Sequence, residues 1–363
     1  MIILKSLLSL FVSIGVHWWL TYLFLTTESF GQNIYVSTSD PNQLTVYSLN
    51  KESGQLTEGD PIPTNGPPGC FCFNETGDRL YVSLRQVGKI SAFSVDDKGN
   101  TRLLNEASTE AYPGYVRVHD SGKYLFCSYY QAGQVTVYRI HDDGTLSEEP
   151  IQTIKTDANA HAVVTDQEGQ FLYVPHTRPN KIFQFEIDAD SGMLRSTTPS
   201  FLQRGTNTGP RHLWFHPTLD MAYGSDEQGS SITRYSQNSS DGTLTTVETL
   251  SSLPAHYTDG NSTADIEVHP SGQFVYIANR GHNSVASFAI DQKDGSLSFL
   301  EHTPVEPVPR SFNITPDGEF LIAAGQQSGK LRVFRIDASG RLDHTQTVEA
   351  EGSPWWVVSR PTQ

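Results

Sequence analysis

Apolar and polar residues alternate along most of the chain in short runs, each ended by Gly, Asp or Asn, and this period of two predicts β-strands joined by tight turns. The runs recur in a fixed phase. "NETGDRLYVSLRQVGKISAFSVD" from Asn74 and "HDSGKYLFCSYYQAGQVTVYRIH" from His119 are followed by "DQEGQFLYVPHTRPNKIFQFEID", "HPTLDMAYGSDEQGSSITRYSQN", "HPSGQFVYIANRGHNSVASFAID" and "TPDGEFLIAAGQQSGKLRVFRID". Aligned on the turn, the repeats fall at Gly77, Gly122, Gly169, Leu219, Gly272 and Gly318, with Leu219 the one departure from glycine. Each unit predicts four strands: one before the turn, one through the Leu-Tyr-Val segment, a third such as "ITRYSQ", and a weaker outer strand after an "xDGxL" turn.

The two ends make up one further unit. "NIYVSTSDPNQLTVYSLNKESGQL" from Asn33 supplies strands two to four, and the C-terminal "SPWWVVSRPTQ" supplies the missing first strand. Joining them closes a ring with no open edge, which predicts an all-β, seven-bladed propeller of four-stranded blades over 32–363. The first 31 residues differ. Lys5 precedes an apolar run from Leu7 to Leu25, and "SFG" at 29–31 offers small residues for cleavage, so 1–31 is expected to be a signal peptide or a membrane anchor and the protein to be exported. Contact with a membrane is expected only if that segment is retained, and the propeller itself is expected to be a monomer.

Charge narrows the choice of partner. The chain has 25 Lys and Arg against 40 Asp and Glu, a net charge of −15 that argues against nucleic acid. An anionic ligand therefore needs a local basic site. The three cysteines, Cys70, Cys72 and Cys127, lack metal spacing and read as small buried hydrophobes.

The repeat phase predicts where such a basic site lies. The start of strand one and the end of strand two lie on the same face beside the central channel. Eight residues before the turn stand His161, Arg211 and Arg310, with His212 next to Arg211; eight residues after it stand Arg85, Tyr130, Glu227, Arg280 and Gln326, with Arg178 adjacent to the same position in the fourth unit. Several arginines in one mouth repel one another unless an anion arrives. Strand alternation alone sends His212 across from Arg211, so Arg211 is the stronger candidate. His216 and His269, in "HP" pairs at the opposite end, read as structural, and Trp355 and Trp356 as core and closure residues.

"GPRHLWFHP" followed by a glutamate, "ADIEVHPSGQFVYIANR", "FLIAAGQQSG" and "SPWWVV" resemble the propeller-type 6-phosphogluconolactonases, a family related to the fungal 3-carboxy-cis,cis-muconate lactonising enzyme; the likeness runs from Asn33 to Val358. The resemblance implies hydrolysis of a sugar lactone with an active set of His161, Arg211, Glu227 and Arg280. It also implies a small-molecule lactone or anionic sugar acid as partner. Neither cofactor nor metal is expected, the mouth being rich in Arg and poor in Asp and Asn. Tyr115 replaces a histidine found in several relatives, and "HTRPNK" replaces a more usual acidic or glycine-containing stretch.

On that reading His161 transfers the proton, since a carboxylate among arginines is held ionised and makes a weak base. Glu227 orients water or a substrate hydroxyl, and Arg211 and Arg280 hold the developing oxyanion. Arg85, Arg178 and Arg310 face a phosphate or carboxylate further out, with Tyr130, His212 and Gln326 completing the binding surface. Two alternatives use the same mouth: a cycloisomerase that grips a diacid, and a non-catalytic exported propeller that binds a ligand or protein.

Overall fold

The structure is a computed structural model that describes residues 31–361; the expected leader lies outside the described residues except for Gly31. Each apolar strand of the sequence buries both of its faces, because every sheet is sandwiched between two others. Ile34 and Val36 point toward the last blade, while Tyr35 between them points toward the second. Period-two geometry turns one strand into a wall of two cores. Seven core clusters result, one at each junction between neighbouring blades.

All strands pair antiparallel, and the described residues form no helix. Six sheets have four strands in chain order, for example Pro210–Phe215, Met221–Asp226, Ser231–Gln237 and Leu244–Ser251 in the fifth blade. The first blade is closed as the sequence predicts: Pro354–Ser359 pairs with Gln32–Ser39, placing Tyr35 opposite Val358 and Val36 opposite Val357.

Two details differ from the sequence expectation. The outer strand of blade one is split into Leu56–Glu58 and Ile62–Pro63. The inner strand of blade four shrinks to Val164–Thr165, because the neighbouring strand carries Pro175, which has no N–H for the ladder. Its carbonyl still accepts the His161 N–H at 2.9 Å, so the backbone stays in place at the channel.

Side chains tie each blade to the next. His119, His216 and His269 bond through Nε2 to the carbonyls of Gly169, Gly272 and Gly318, the turn residues of the following blades, at 2.8–2.9 Å. Arg360 does the same across the ring closure, donating from Nε to the Gly77 carbonyl at 2.9 Å. These contacts give the "HP" histidines the structural role expected of them. Strand-two tyrosines form a second set of ties: Tyr81, Tyr173, Tyr223 and Tyr276 donate to the carbonyls of Gly144, Gly242, Gly295 and Gly340 in the next blade's outer turn.

Replacing Tyr223 by Phe leaves the buried Gly295 carbonyl without its 2.7 Å donor. The expected loss is about 1–3 kcal/mol of stability, read as a lower denaturant midpoint at unchanged m-value.

Candidate functional site

The inner strands do not run straight into the channel mouth. In blades one, two, five, six and seven the pairing of strand one with strand two slips by one residue at the level predicted for the site. The slips place an extra residue at Arg211, between the pairs Pro210–Asp226 and His212–Ser225, and at Arg310, between Pro309–Gly325 and Ser311–Ala324. A bulge re-aims side chains and suspends strict alternation. Arg211 and His212, neighbours in sequence, therefore both line the same cavity, whereas alternation alone sent His212 across the strand.

That cavity has a volume of about 230 Å³. The sequence-predicted Arg85, Tyr130, His161, Arg211, His212, Glu227, Arg280 and Arg310 all face it. Two predicted residues do not. Arg178 sits in the exposed turn beyond its strand, where only its carbonyl is engaged, by Asn180. Gln326 is half-buried at the end of its strand, and its backbone is spent on Val308 and Ser353.

Trp355 and Trp356 lie in the closing strand, as expected, with Trp356 packed on two core clusters, and both also belong to the cavity wall. Trp355 stands eight residues before Gln363, the phase occupied by His161, Arg211 and Arg310 in other blades; that register could have found it. Its indole carries the guanidiniums of Arg310, 3.8 Å from the ring centroid, and Arg85, 4.8 Å away. Gly69 leaves room for this arrangement, because a β-carbon there would stand 2.7 Å from Arg85 Cδ. Trp356 meets His212 and Tyr115 edge-on, with centroids 5.6 and 5.3 Å apart. Cys70, expected as core filler, also reaches the cavity wall, and burial pushes its thiol well above the usual range.

The electrostatics centre on Glu227. Its two oxygens lie 3.7 Å from Arg211 Nε and 3.1 Å from an Arg280 terminal nitrogen. With Arg85 and Arg310 the lining holds four guanidiniums against this one carboxylate, three positive charges in excess. Arg211 is 1% exposed. Burial and the neighbouring Arg280 draw its pKa down to about 10, with Glu227 opposing. Burial likewise lowers Arg310, assisted by Arg211, Arg280 and Arg85. The Nε groups of Arg211 and Arg280 and Nδ1 of His161 are buried and have no hydrogen-bond partner among the described residues.

Both imidazoles are neutral near pH 7. Burial pushes His161 well below its usual range, and Arg211 and His212 push the same way. His212 falls to about 4 through burial and Arg211, although Asp265 pulls in the opposite direction. Asp265 accepts the His212 Nδ1 hydrogen at 2.7 Å, which leaves Nε2 as an acceptor 3.3 Å from an Arg211 terminal nitrogen. Asp265, His212 and Arg211 thus form a buried chain that fixes the guanidinium. The repeat phase puts Asp265, like His212, one residue after the mouth position of its unit, but assigns it no role.

A family model described as "Lactonase, 7-bladed beta-propeller" matches residues 33–359. The chain is 29% identical over 327 residues to a 6-phosphogluconolactonase of Pectobacterium carotovorum, covering 90% of this chain and 98% of the relative. It is 29% identical over 333 residues to that of Yersinia pestis, covering 92% and 99%. Among solved structures, the periplasmic gluconolactonase of Pseudomonas aeruginosa superposes with a TM-score of 0.85 at 25% identity, covering 91% of this chain and 99% of that one.

Two buried histidines, His176 and His212, make stability pH-dependent. In the unfolded chain His212 and His176 titrate near 6.5, and in the fold burial lowers both to about 4. Their contribution is complete above pH 6.5 and is lost as pH falls from there through 4. Tm should drop over that window, and His212→Gln should flatten the drop.

Proposed function

The chain belongs to the lactonase family of seven-bladed β-propellers, and from that premise we propose that it hydrolyses a sugar lactone at the arginine-lined cavity. The observation that carries the reading is the Arg211–Glu227–Arg280 cluster, brought into one cavity with Arg85, Arg310 and the neutral His161 imidazole. A lactone arrives without charge on its ring carbonyl. Attack by water places a negative charge on that oxygen, and Arg211 and Arg280 stabilise it where it forms.

His161 takes one proton from the attacking water as the oxyanion forms, and that new negative charge offsets the arginine field that otherwise weakens the imidazole as a base. The acyl–oxygen bond then breaks, and the proton passes to the departing ring oxygen. One water is consumed and one hydroxy acid is formed, which ionises to a carboxylate. Glu227 orients the attacking water and the two arginines. Its charge also offsets part of the arginine field, so the carboxylate product is released. Asp265 and His212 position Arg211.

Arg85 and Arg310, held on Trp355, receive a phosphate or a further carboxylate on the substrate. Export, expected from the leader, receives support from the periplasmic gluconolactonase with the same fold.

The test is lactone hydrolysis followed by proton release. Arg211→Ala should reduce kcat by about 10²–10³-fold and His161→Ala by about 10²–10⁴-fold. Arg310→Ala should raise KM for 6-phosphogluconolactone more than for gluconolactone. Full activity in both His161→Ala and Arg211→Ala would overturn the assignment.

A further inference from the structure

A second cavity, about 290 Å³, opens beside the first and shares Arg85, Gly114, Tyr130 and Trp355 with it. It is no smaller than the space assigned to the lactone ring, so it accommodates a group of sugar size. Its own walls differ in chemistry. Ser39, Pro67, Pro68, Gln86, Tyr112 and Gln131 line it, without a carboxylate and without a cation of their own. Arg85 is the single guanidinium it touches, and that group lies over Trp355. Tyr112 is 58% exposed, a large aromatic left in solvent at the rim.

These groups do not suit a phosphate, which requires converging positive charge. They suit a neutral polyol. Aromatic faces pack against the C–H side of a pyranose, and glutamine amides both donate to and accept from its hydroxyls.

We infer that the second cavity binds a neutral pyranose joined to the lactone, so the preferred substrates are glycosylated sugar lactones of the aldobionolactone class. This rests on the lactonase reading and adds a subsite to it. Tyr112 and Gln131 belong to the added subsite alone, since neither borders the first cavity.

The full-length protein is assayed with gluconolactone, 6-phosphogluconolactone and cellobionolactone, and titrated calorimetrically with gluconate, 6-phosphogluconate and cellobionate. Wild type should show higher kcat/KM for cellobionolactone than for gluconolactone and tighter binding of cellobionate than of gluconate. Tyr112→Ala and Gln131→Ala should each reduce both advantages by roughly three- to tenfold while leaving gluconolactone hydrolysis unchanged. Equal handling of the two neutral lactones and two neutral-sugar acids, unmoved by either variant, overturns the subsite. So does a Tyr112→Ala effect confined to 6-phosphogluconate, which makes the cavity a phosphate site. If no lactone is turned over, the lactonase reading fails, and the cellobionate titrations still decide the subsite.

Discussion

Everything at the cavity depends on the pairing of Pro354–Ser359 with Gln32–Ser39. That pairing removes the free edge that a seven-sheet ring would otherwise expose, and Arg360 ties the closed blade to the Gly77 turn of the next. It also delivers Trp355 to the mouth, where the indole holds Arg85 and Arg310 side by side. Ring closure and site assembly are one event. A propeller with this strand displaced would lose its seventh junction and the platform for two of its four site arginines together.

The second organising factor is charge that the fold has to hold in place. Four guanidiniums converge in a chain whose overall charge is −15, so the mouth is a positive island in a negative field. Bringing arginines together in a desolvated cavity is unfavourable, as the depressed values of Arg211 and Arg310 record. The blades oppose it with specific partners: Glu227 for Arg211 and Arg280, the His212–Asp265 pair behind Arg211, and the Trp355 face for the other two. Neutral histidines follow from the same field, because a further cation there would be strongly disfavoured.

The repeat phase made the fold and most of the site legible, because in a propeller the position within a unit fixes the distance from the axis. His161, Arg211, Glu227 and Arg280 come together from three neighbouring blades for that reason. What the phase could not convey was local. Bulges put His212 beside Arg211 on one wall, and no alternation rule foresees them. Arg178 lies away from the cavity because a turn carries it past the end of its strand into solvent, and the half-buried Gln326 does not border the cavity. Trp355 was legible in principle, but its unit is assembled from both ends of the chain and its phase is easily overlooked. Pro175 hid the shortening of blade four, since a lost N–H leaves no mark on the hydrophobic pattern.

The ring closure has a consequence for biosynthesis. The strand carrying Trp355 and Trp356 follows every other blade in chain order, so it is the last part of the ring to leave the ribosome. Until it emerges, Arg85 and Arg310 lack their shared aromatic support and the cavity lacks one wall. A nascent or prematurely ended chain therefore carries the individual arginines but no assembled site. Competence arrives in a single step with the closing strand, and the chemistry is withheld until the chain has been made through to that point.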